Sequence, residues 1–269
     1  MSEGEGVAKD EARAEAVLEG VGGGRAVGGE IEIAASPEAV WRALTDAAEL
    51  ERWFPLEARV EPGPEGSIWM SWQNEFAGSS RILEWDPPRR LVTSWGWPED
   101  QDEQQGQVTE YTIEARGGRT LLRVVTSGFP DDSSWDEWVE GTRLGWRFEL
   151  RSLRQYLEDH AGERRVVVYL RRRIDEPRVT SWPRLLAAVS GEVEGEVFDD
   201  EPGRERAWLT DRPVRGIARV SIEGTPSAPE RSDVVLWLSA WGDHADAVPA
   251  VEGRWRRLLE TTFPEGETV

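Results

Sequence analysis

The chain has 269 residues, enough for two average domains, and its 38% hydrophobic and 31% charged residues predict packed cores beneath a solvated surface. The formal net charge of −20 repels phosphate groups, so we expect no nucleic-acid partner and no binding to an anionic membrane. Cysteine is absent and only two histidines are present, which excludes disulfides and thiolate chemistry, and we expect neither a metal site nor a cofactor.

Residues 1–29 are predicted to form a disordered tail. They are rich in glycine, glutamate and alanine, contain no aromatic residue, and carry glycine runs that interrupt any helix. They also lack the apolar stretch of a secretory signal. No run anywhere in the chain approaches the roughly 18 apolar residues that indicate a membrane span, so we expect a cytoplasmic protein.

From Glu30 onward the pattern predicts ordered structure. A strand, EIEIAA, precedes the segment SPEAVWRALTD, in which Ser36 suits the N-cap of a helix and Pro37 suits its first turn. A second short helix, DAAELERWF, ends before Pro55. Six consecutive antiparallel strands are then predicted between turn signals, from LEARVEP to TLLRVVTSG. This order is typical of an α+β domain with an antiparallel meander.

The segment WVEGTRLGWRFELRSLRQYLEDH predicts a long amphipathic helix. Its apolar positions recur every three or four residues and comprise Trp138, Thr142, Trp146, Leu150, Leu153 and Leu157. After a curved antiparallel sheet, such a helix is expected to cross the concave face. Gly141 and Gly145 each cost about 1 kcal/mol of helix stability relative to alanine. We therefore expect them to leave room for a strand backbone, a bulky tryptophan or a ligand.

The remaining sequence repeats the order of strand, helix, further strands and final helix. It begins with RRVVVYLRRR and TSWPRLLAAVSG and ends with VPAVEGRWRRLLETTF, whose VEG and Trp-Leu pattern echoes the earlier long helix. Two interpretations stay open: a degenerate, shortened copy of the first domain, or an unrelated α+β domain. The predicted organisation is a tail over residues 1–29, a domain over residues 30–160 and a smaller α+β domain over residues 162–269.

Three blocks of the first predicted domain resemble a known superfamily. SPEAVWRALTDAAELERWF resembles the opening helix pair of the SRPBCC superfamily, in the branch called activator of heat-shock protein 90 ATPase homologue-like. RILEWDPPRRLVTSWGW looks like the mid-domain hairpin of that branch. TLLRVVTSGFPDDSSWDEWVEGTRLGWRFELRSLRQYLE looks like its closing strand and helix, including the pair Gly145 and Trp146.

The resemblance implies a helix-grip, START-like fold, in which an antiparallel sheet wraps around a long C-terminal helix and leaves a cavity between them. Members of the superfamily bind apolar small molecules, and some related branches cyclise polyketides. No part of the sequence resembles the separate chaperone-contacting domain of the eukaryotic activator, so the family title is weak evidence for a chaperone role.

Aromatic residues of the first domain are the candidate ligand contacts. In LVTSWGW the residues at every second position from Thr93 share one face, and in VTEYTIEA the same holds from Thr109. In SIWMSW the alternation leaves open whether Trp69 or its neighbours face inward. These side chains either fill a core or line a pocket. The predicted ligand-binding set is Trp69, Trp95, Trp97, Tyr111, Trp138, Thr142 and Trp146.

Three functions are open from the sequence. The leading hypothesis is non-catalytic binding of a hydrophobic or aromatic small molecule in this cavity. A polyketide cyclase or lyase would use the same cavity with a carboxylate or arginine pointing into it, and a protein-interaction or co-chaperone-like module would show a filled core and an exposed apolar patch. We assign no catalytic residue, because no Ser-His-Asp set is available. The charged residues to inspect are Glu110, Arg123, Arg143 and Glu149.

Overall fold

The computed structural model describes residues 24–72, 77–95, 106–225 and 228–269. None of the helices in these ranges is long and apolar enough to cross a membrane. The elements, in chain order, are β1 (Arg25–Ile33), α1 (Pro37–Thr45), α2 (Ala47–Leu50), β2 (Glu57–Glu61), β3 (Ser67–Ser71), β4 (Ala77–Asp86), β5 (Arg90–Trp95), β6 (Gln107–Arg116), β7 (Arg119–Phe129), α3 (Asp136–Asp159), β8 (Arg165–Ile174), α4 (Arg178–Val189), β9 (Glu194–Glu201), β10 (Glu205–Arg212), β11 (Gly216–Thr225), β12 (Ala228–Trp241), α5 (Val248–Thr262) and β13 (Glu267–Thr268).

The N-terminal half, residues 24–160, contains a seven-stranded antiparallel sheet in the order β1-β7-β6-β5-β4-β3-β2. The predicted six-strand meander is present, and the first strand adds to the sheet beside the last one. Helix α1 begins as predicted, because Ser36 Oγ accepts a hydrogen bond from the Ala39 amide at 3.2 Å and Pro37 occupies the first turn. Helix α3 packs against β1. The predicted α+β fold is confirmed.

Strand β1 begins at Arg25, earlier than the predicted start at Glu30. The glycines of RAVGG indicated a break, yet Gly28 lies in the strand opposite Val125. A Cβ atom at Gly28 would collide with the backbone carbonyl oxygen of Val124. The glycine therefore permits a close approach of two backbones inside the sheet, which a pattern-based prediction cannot distinguish from a turn.

The C-terminal half, residues 161–269, contains a second antiparallel sheet in the order β13-β8-β12-β11-β10-β9. Its first long strand, β8, lies beside the last strand of its meander, as β1 does in the first sheet. Four meander strands replace six, and α4 and α5 cover one face over a core that includes Trp182, Leu185 and Trp255. A shortened copy would have this strand order, and a common origin of the two halves stays a prediction.

Helix α3 is buried on two sides. Trp146 and Leu150 belong to a hydrophobic cluster that continues without a break into the second sheet, where Ile217 and Trp237 join it. Phe148 stacks on Phe198 of β9 at a centroid distance of 6.3 Å. The second sheet has two faces. One is covered by α4 and α5, and the other is covered by α3, the helix that also closes the first sheet.

Ion pairs surround this apolar contact. Arg143 on α3 binds Glu201 on β9 at 2.9 Å, and Arg147 binds Asp199. Glu137, near the start of α3, accepts hydrogen bonds from Arg178 and Arg204. Within α3, Glu140 also pairs with Arg143 at 2.6 Å. Arginines thus link α3 to the second sheet around the rim of the apolar contact.

Two carboxyl groups are buried between α3 and the second sheet. Glu149 on α3 and Glu205 on β10 are 6% and 3% exposed, and each has one oxygen without a hydrogen-bond partner among the described residues. Burial raises the pKa of both carboxyls to about 7. The positive charge of the nearby Arg219 lowers both pKa values, but its effect is smaller than that of burial. Arg165 also faces Glu149. Both carboxyls therefore gain and lose protons near neutral pH.

The two glycines of α3 do not permit a close approach. No described heavy atom lies within 4 Å of a Cβ placed on Gly141 or Gly145, so the expected contact with a strand or a tryptophan is not found. The first turns of α3 are also less buried than the apolar stripe predicted, since Trp138 is 54% exposed. The stripe becomes a core only from Leu144 onward, where both sheets reach the helix.

Alanine at either helix glycine is expected to stabilise the protein. Gly141→Ala and Gly145→Ala should each raise the free energy of unfolding by about 0.5–1 kcal/mol, because alanine loses less backbone entropy in a helix and meets no neighbour. Urea denaturation measures the change. Gly28→Ala is the matched control and should destabilise the protein. A loss of stability in both helix variants would show that something unseen contacts these glycines.

The buried carboxyls predict an unusual pH dependence. A pKa raised from 4.5 to about 7 means that the folded state holds these protons more tightly, so the stability they provide is lost as pH rises through this window. The double variant Glu149→Gln, Glu205→Gln should gain stability over wild type between about pH 5 and pH 8, by up to about 3 kcal/mol per group. Urea denaturation of both proteins at about pH 5 and about pH 8 measures the free energy of unfolding. An equal change in this free energy between the two pH values for wild type and variant would contradict the prediction.

Candidate functional site

The concave face of the first sheet is formed by alternating residues of its central strands. Ile68 and Met70 of β3 face inward, which places the neighbouring Trp69 on the outer face. Leu91 and Thr93 of β5 face the same way, as the alternation from Thr93 predicted. Helices α1 and α2 cover this face together with the turn that follows α2.

A cavity of about 20 Å³ remains between this face and the helices. One water molecule needs about 10–15 Å³ of such space, so the cavity holds a water molecule but no aromatic ligand without movement of its walls. Its walls are mainly apolar, and three hydroxyl-bearing side chains contribute to them. The lining residues are Leu44, Leu50, Trp53, Phe54, Ile68, Met70, Ser80, Leu91, Thr93 and Tyr111.

Phe54 is the centre of an aromatic cluster at this cavity. Its ring stacks on Trp53 at a centroid distance of 5.0 Å and meets Trp72 edge-on at 5.2 Å. Trp146 of α3 lies 5.7 Å from Phe54 and packs edge-on against Tyr111 at 5.9 Å. Offset and edge-to-face contacts of this kind are favourable for aromatic rings. Five aromatic side chains, two from the turn, one directly after β3, one from β6 and one from α3, therefore pack together at one end of the concave face.

Few polar groups accompany these rings. Trp146 Nε1 donates to Thr126 Oγ1 at 2.9 Å, and Thr126 Oγ1 also lies 3.0 Å from Thr109 Oγ1. Ser80 Oγ donates to the Ile68 carbonyl oxygen at 3.2 Å. Burial raises the pKa of the Tyr111 phenol above its usual range. Tyr111 therefore remains protonated at neutral pH and can donate a hydrogen bond.

Two residues of the predicted ligand set meet at this cluster, Tyr111 and Trp146. Trp95 is half-buried at the end of β5, on the face that alternation shares with Thr93. Trp97 lies outside the described residues. The part of these side chains in ligand binding stays a prediction.

The other three predicted residues lie away from the cavity. Trp69, on the outer face, is covered by the guanidinium of Arg59 at 4.5 Å from the ring centroid. Trp138 is largely exposed in the first turn of α3, and Thr142 Oγ1 donates back to the Trp138 carbonyl oxygen. Strand alternation alone could not assign Trp69 to a face, and the two helix residues precede Leu144, the first buried residue of α3.

Phe54 and Trp53 were not among the predicted site residues. The sequence assigned both to the end of the second short helix, DAAELERWF, and gave them no role in the site. Helix α2 in fact ends at Leu50, and the chain turns so that both rings face the sheet. Pro55, directly after the pair, was the available signal, because the residue before a proline is rarely helical.

The charged residues selected from the sequence do not line the cavity. Glu110 pairs with Arg90 at 3.1 Å and Arg123 pairs with Glu30 at 3.1 Å, both at the partly exposed surface of the sheet. Arg143 is bound to Glu140 and to the second sheet, and Glu149 is buried on the opposite side of α3. None of the described lining side chains is charged, and their polar groups are three hydroxyls and the Trp53 indole N–H, which donates to the Ala43 carbonyl oxygen.

Comparison with known proteins agrees with this architecture. The family described as Activator of Hsp90 ATPase homolog 1-like protein matches residues 34–158. No curated protein matches the chain. Among solved structures, the chain is similar to CalU16 from Micromonospora echinospora, with 23% identity over 53% of this chain and 83% of that one, at a TM-score of 0.42.

Two further solved structures are each similar to about half of the chain. Protein MLL2253 from Mesorhizobium loti is 25% identical over 49% of this chain and 96% of its own, with a TM-score of 0.44. The Aha1 dimer from Colwellia psychrerythraea is 20% identical over 51% of this chain and 98% of its own, with a TM-score of 0.46. The resemblance seen in the sequence is confirmed for residues 34–158, which match the model of the family described as Activator of Hsp90 ATPase homolog 1-like protein.

Proposed function

We propose that the N-terminal half binds an aromatic, mainly apolar small molecule without catalysis, with the C-terminal half as a companion domain. The observation that carries this proposal is the ring cluster of Phe54, Trp72, Tyr111 and Trp146, of which Phe54 and Tyr111 line the residual cavity. Burial of apolar ligand surface between such rings would supply the affinity.

Part of the cavity wall is suited to move. Leu50, Trp53 and Leu91 form an inner wall that is almost fully buried, and their displacement would disrupt the core. Phe54 and Met70 form an outer wall that is half-buried. Displacement of these two side chains costs less, because part of their surface already contacts water. The ligand would therefore enlarge the cavity from the Phe54 side.

One polar group would orient the ligand. Tyr111 lines the cavity and its hydroxyl is protonated, so a ligand oxygen would accept a hydrogen bond from it. The described lining offers no carboxylate or guanidinium for proton transfer, and for that reason we propose binding and not the cyclase reaction. The favoured ligand class is a fused or substituted aromatic molecule with one oxygen atom.

The prediction is tested with 1-naphthol and naphthalene, which share a ring system and differ in one hydroxyl. Titration of either probe should shift the indole N–H resonance of Trp146 and leave that of Trp182, in the second core, unchanged. Tyr111→Phe should weaken 1-naphthol binding by roughly 3- to 10-fold, the value of one hydrogen bond, and should leave naphthalene binding unchanged.

Tyr169→Phe is the matched control, because Tyr169 packs against Trp237 at the second sheet. Its affinities for both probes should equal those of wild type. A wild-type protein that shows no Trp146 shift at saturating concentrations of either probe would refute the binding proposal. Equal weakening of both probes by Tyr111→Phe would refute the role of the hydroxyl.

A further inference from the structure

We propose that the C-terminal half determines the shape of the ligand cavity, through Arg165 and Trp241 acting as positioning residues for Phe54. The inference rests on the proposed binding function. It names which residues of the companion domain would control the cavity, although none of them contacts the space itself.

Arg165, the first residue of β8, contacts the turn that carries Phe54. Its Nη1 atom lies 3.2 Å from the carbonyl oxygens of Glu51 and Phe54 and 3.3 Å from that of Pro55. One nitrogen with two hydrogens is thus shared among three acceptors of a single turn. Charged donors form stronger hydrogen bonds than neutral ones, so this contact fixes the path of the backbone on both sides of Phe54.

The second sheet orients Arg165. Its Nε atom donates to Ser239 Oγ at 3.0 Å, and Ser239 Oγ also accepts from Trp237 Nε1 at 3.0 Å. The guanidinium lies over the Trp237 ring, 5.3 Å from the centroid. The side chain is therefore held by β12 before it reaches the turn, as a positioning residue requires.

The remaining carbonyl groups of the turn are also held from outside it. Trp241 Nε1, at the end of β12, donates to the Arg52 carbonyl oxygen at 2.8 Å, and Ser152 Oγ on α3 donates to that of Trp53 at 2.8 Å. Trp241 is fully buried and stacks on His160 at 5.0 Å. All five carbonyls from Glu51 to Pro55 thus accept a side-chain hydrogen bond, four of them from the C-terminal half.

This arrangement has a reason in the local structure. Helix α2 has ended at Leu50 and β2 begins at Glu57, so the intervening carbonyls have no helix or strand neighbour to bond. Carbonyl groups without hydrogen-bond partners destabilise a folded protein. Here side chains from β8, β12 and α3 donate the hydrogen bonds that backbone N–H groups donate within a helix or sheet. Loss of these donors should leave the Phe54 turn free to sample other positions.

Coupling between two sites is reciprocal. If Arg165 holds Phe54 in place, then a ligand that displaces Phe54 must alter the contacts of Arg165. Binding in the N-terminal half should therefore change the surroundings of Trp237 and Trp241, which no ligand in the cavity touches.

The test combines hydrogen exchange with probe binding on the full chain. Arg165→Met should raise amide exchange in the peptide that covers residues 51–56 on the order of 10-fold and change 1-naphthol affinity several-fold. Trp241→Phe keeps the ring and removes only the donor, so it should give a smaller increase centred on Arg52. Arg165→Lys keeps the positive charge, so its amide exchange and its 1-naphthol affinity should lie between those of Arg165→Met and wild type. Arg173→Met, on the same strand and bound to Asp233, is the control and should change neither measurement.

The outcomes separate this inference from the proposed function. Unchanged exchange in residues 51–56 of both Arg165→Met and Trp241→Phe would overturn the positioning role. Raised exchange with unchanged probe affinity would overturn the link to the cavity. If wild type binds neither probe and exchange still rises, the binding proposal fails and the role of Arg165 and Trp241 in holding the turn is supported. Should Arg165→Met not fold, Trp241→Phe and Arg165→Lys carry the same test.

Discussion

The structure depends on one helix that serves two sheets. Helix α3 closes the concave face of the first sheet with Trp146 and covers the second sheet with Phe148, two residues further along. A helix that buries two faces leaves little surface for solvent, which explains why its buried positions do not follow a single stripe. Neither sheet can change its packing on α3 without affecting the other.

The elements of the fold were predictable from local pattern. Alternating apolar residues predicted the strands, the N-cap Ser36 and Pro37 predicted the start of α1, and apolar residues three or four positions apart predicted α3. Each of these signals arises within a few residues of sequence. The contact between the halves was not predictable. Glu149 has the appearance of a surface residue of a charged helix, and only the second sheet, whose strands lie far along the chain, makes it a buried carboxyl. Tertiary packing of this kind leaves no periodic signal.

The candidate site was predictable in part for the same reason. Tyr111 follows from strand alternation and Trp146 from the apolar stripe, and the two rings meet. Trp69 could not be assigned to a face of the sheet. A shift of one residue in strand register moves every side chain to the opposite face, and the sequence of β3 fits both registers. Phe54 required knowledge of where a short helix ends, and helix boundaries are the least certain part of such a prediction. The residues that hold Phe54 come from another sheet and carry no local signal at all.

The strand order of the first sheet also constrains how the chain is made. Among the described strands, β1 pairs with β7 alone, so β1 has no sheet partner until nearly the whole N-terminal half has left the ribosome. The face of α3 that packs on the second sheet is covered only when β11 and β12 have been synthesised. A first sheet that closed during synthesis would therefore present an apolar face of α3 to solvent until these strands were made. The excess negative charge of the chain suits that stage, because like-charged intermediates repel one another while the last strands are completed.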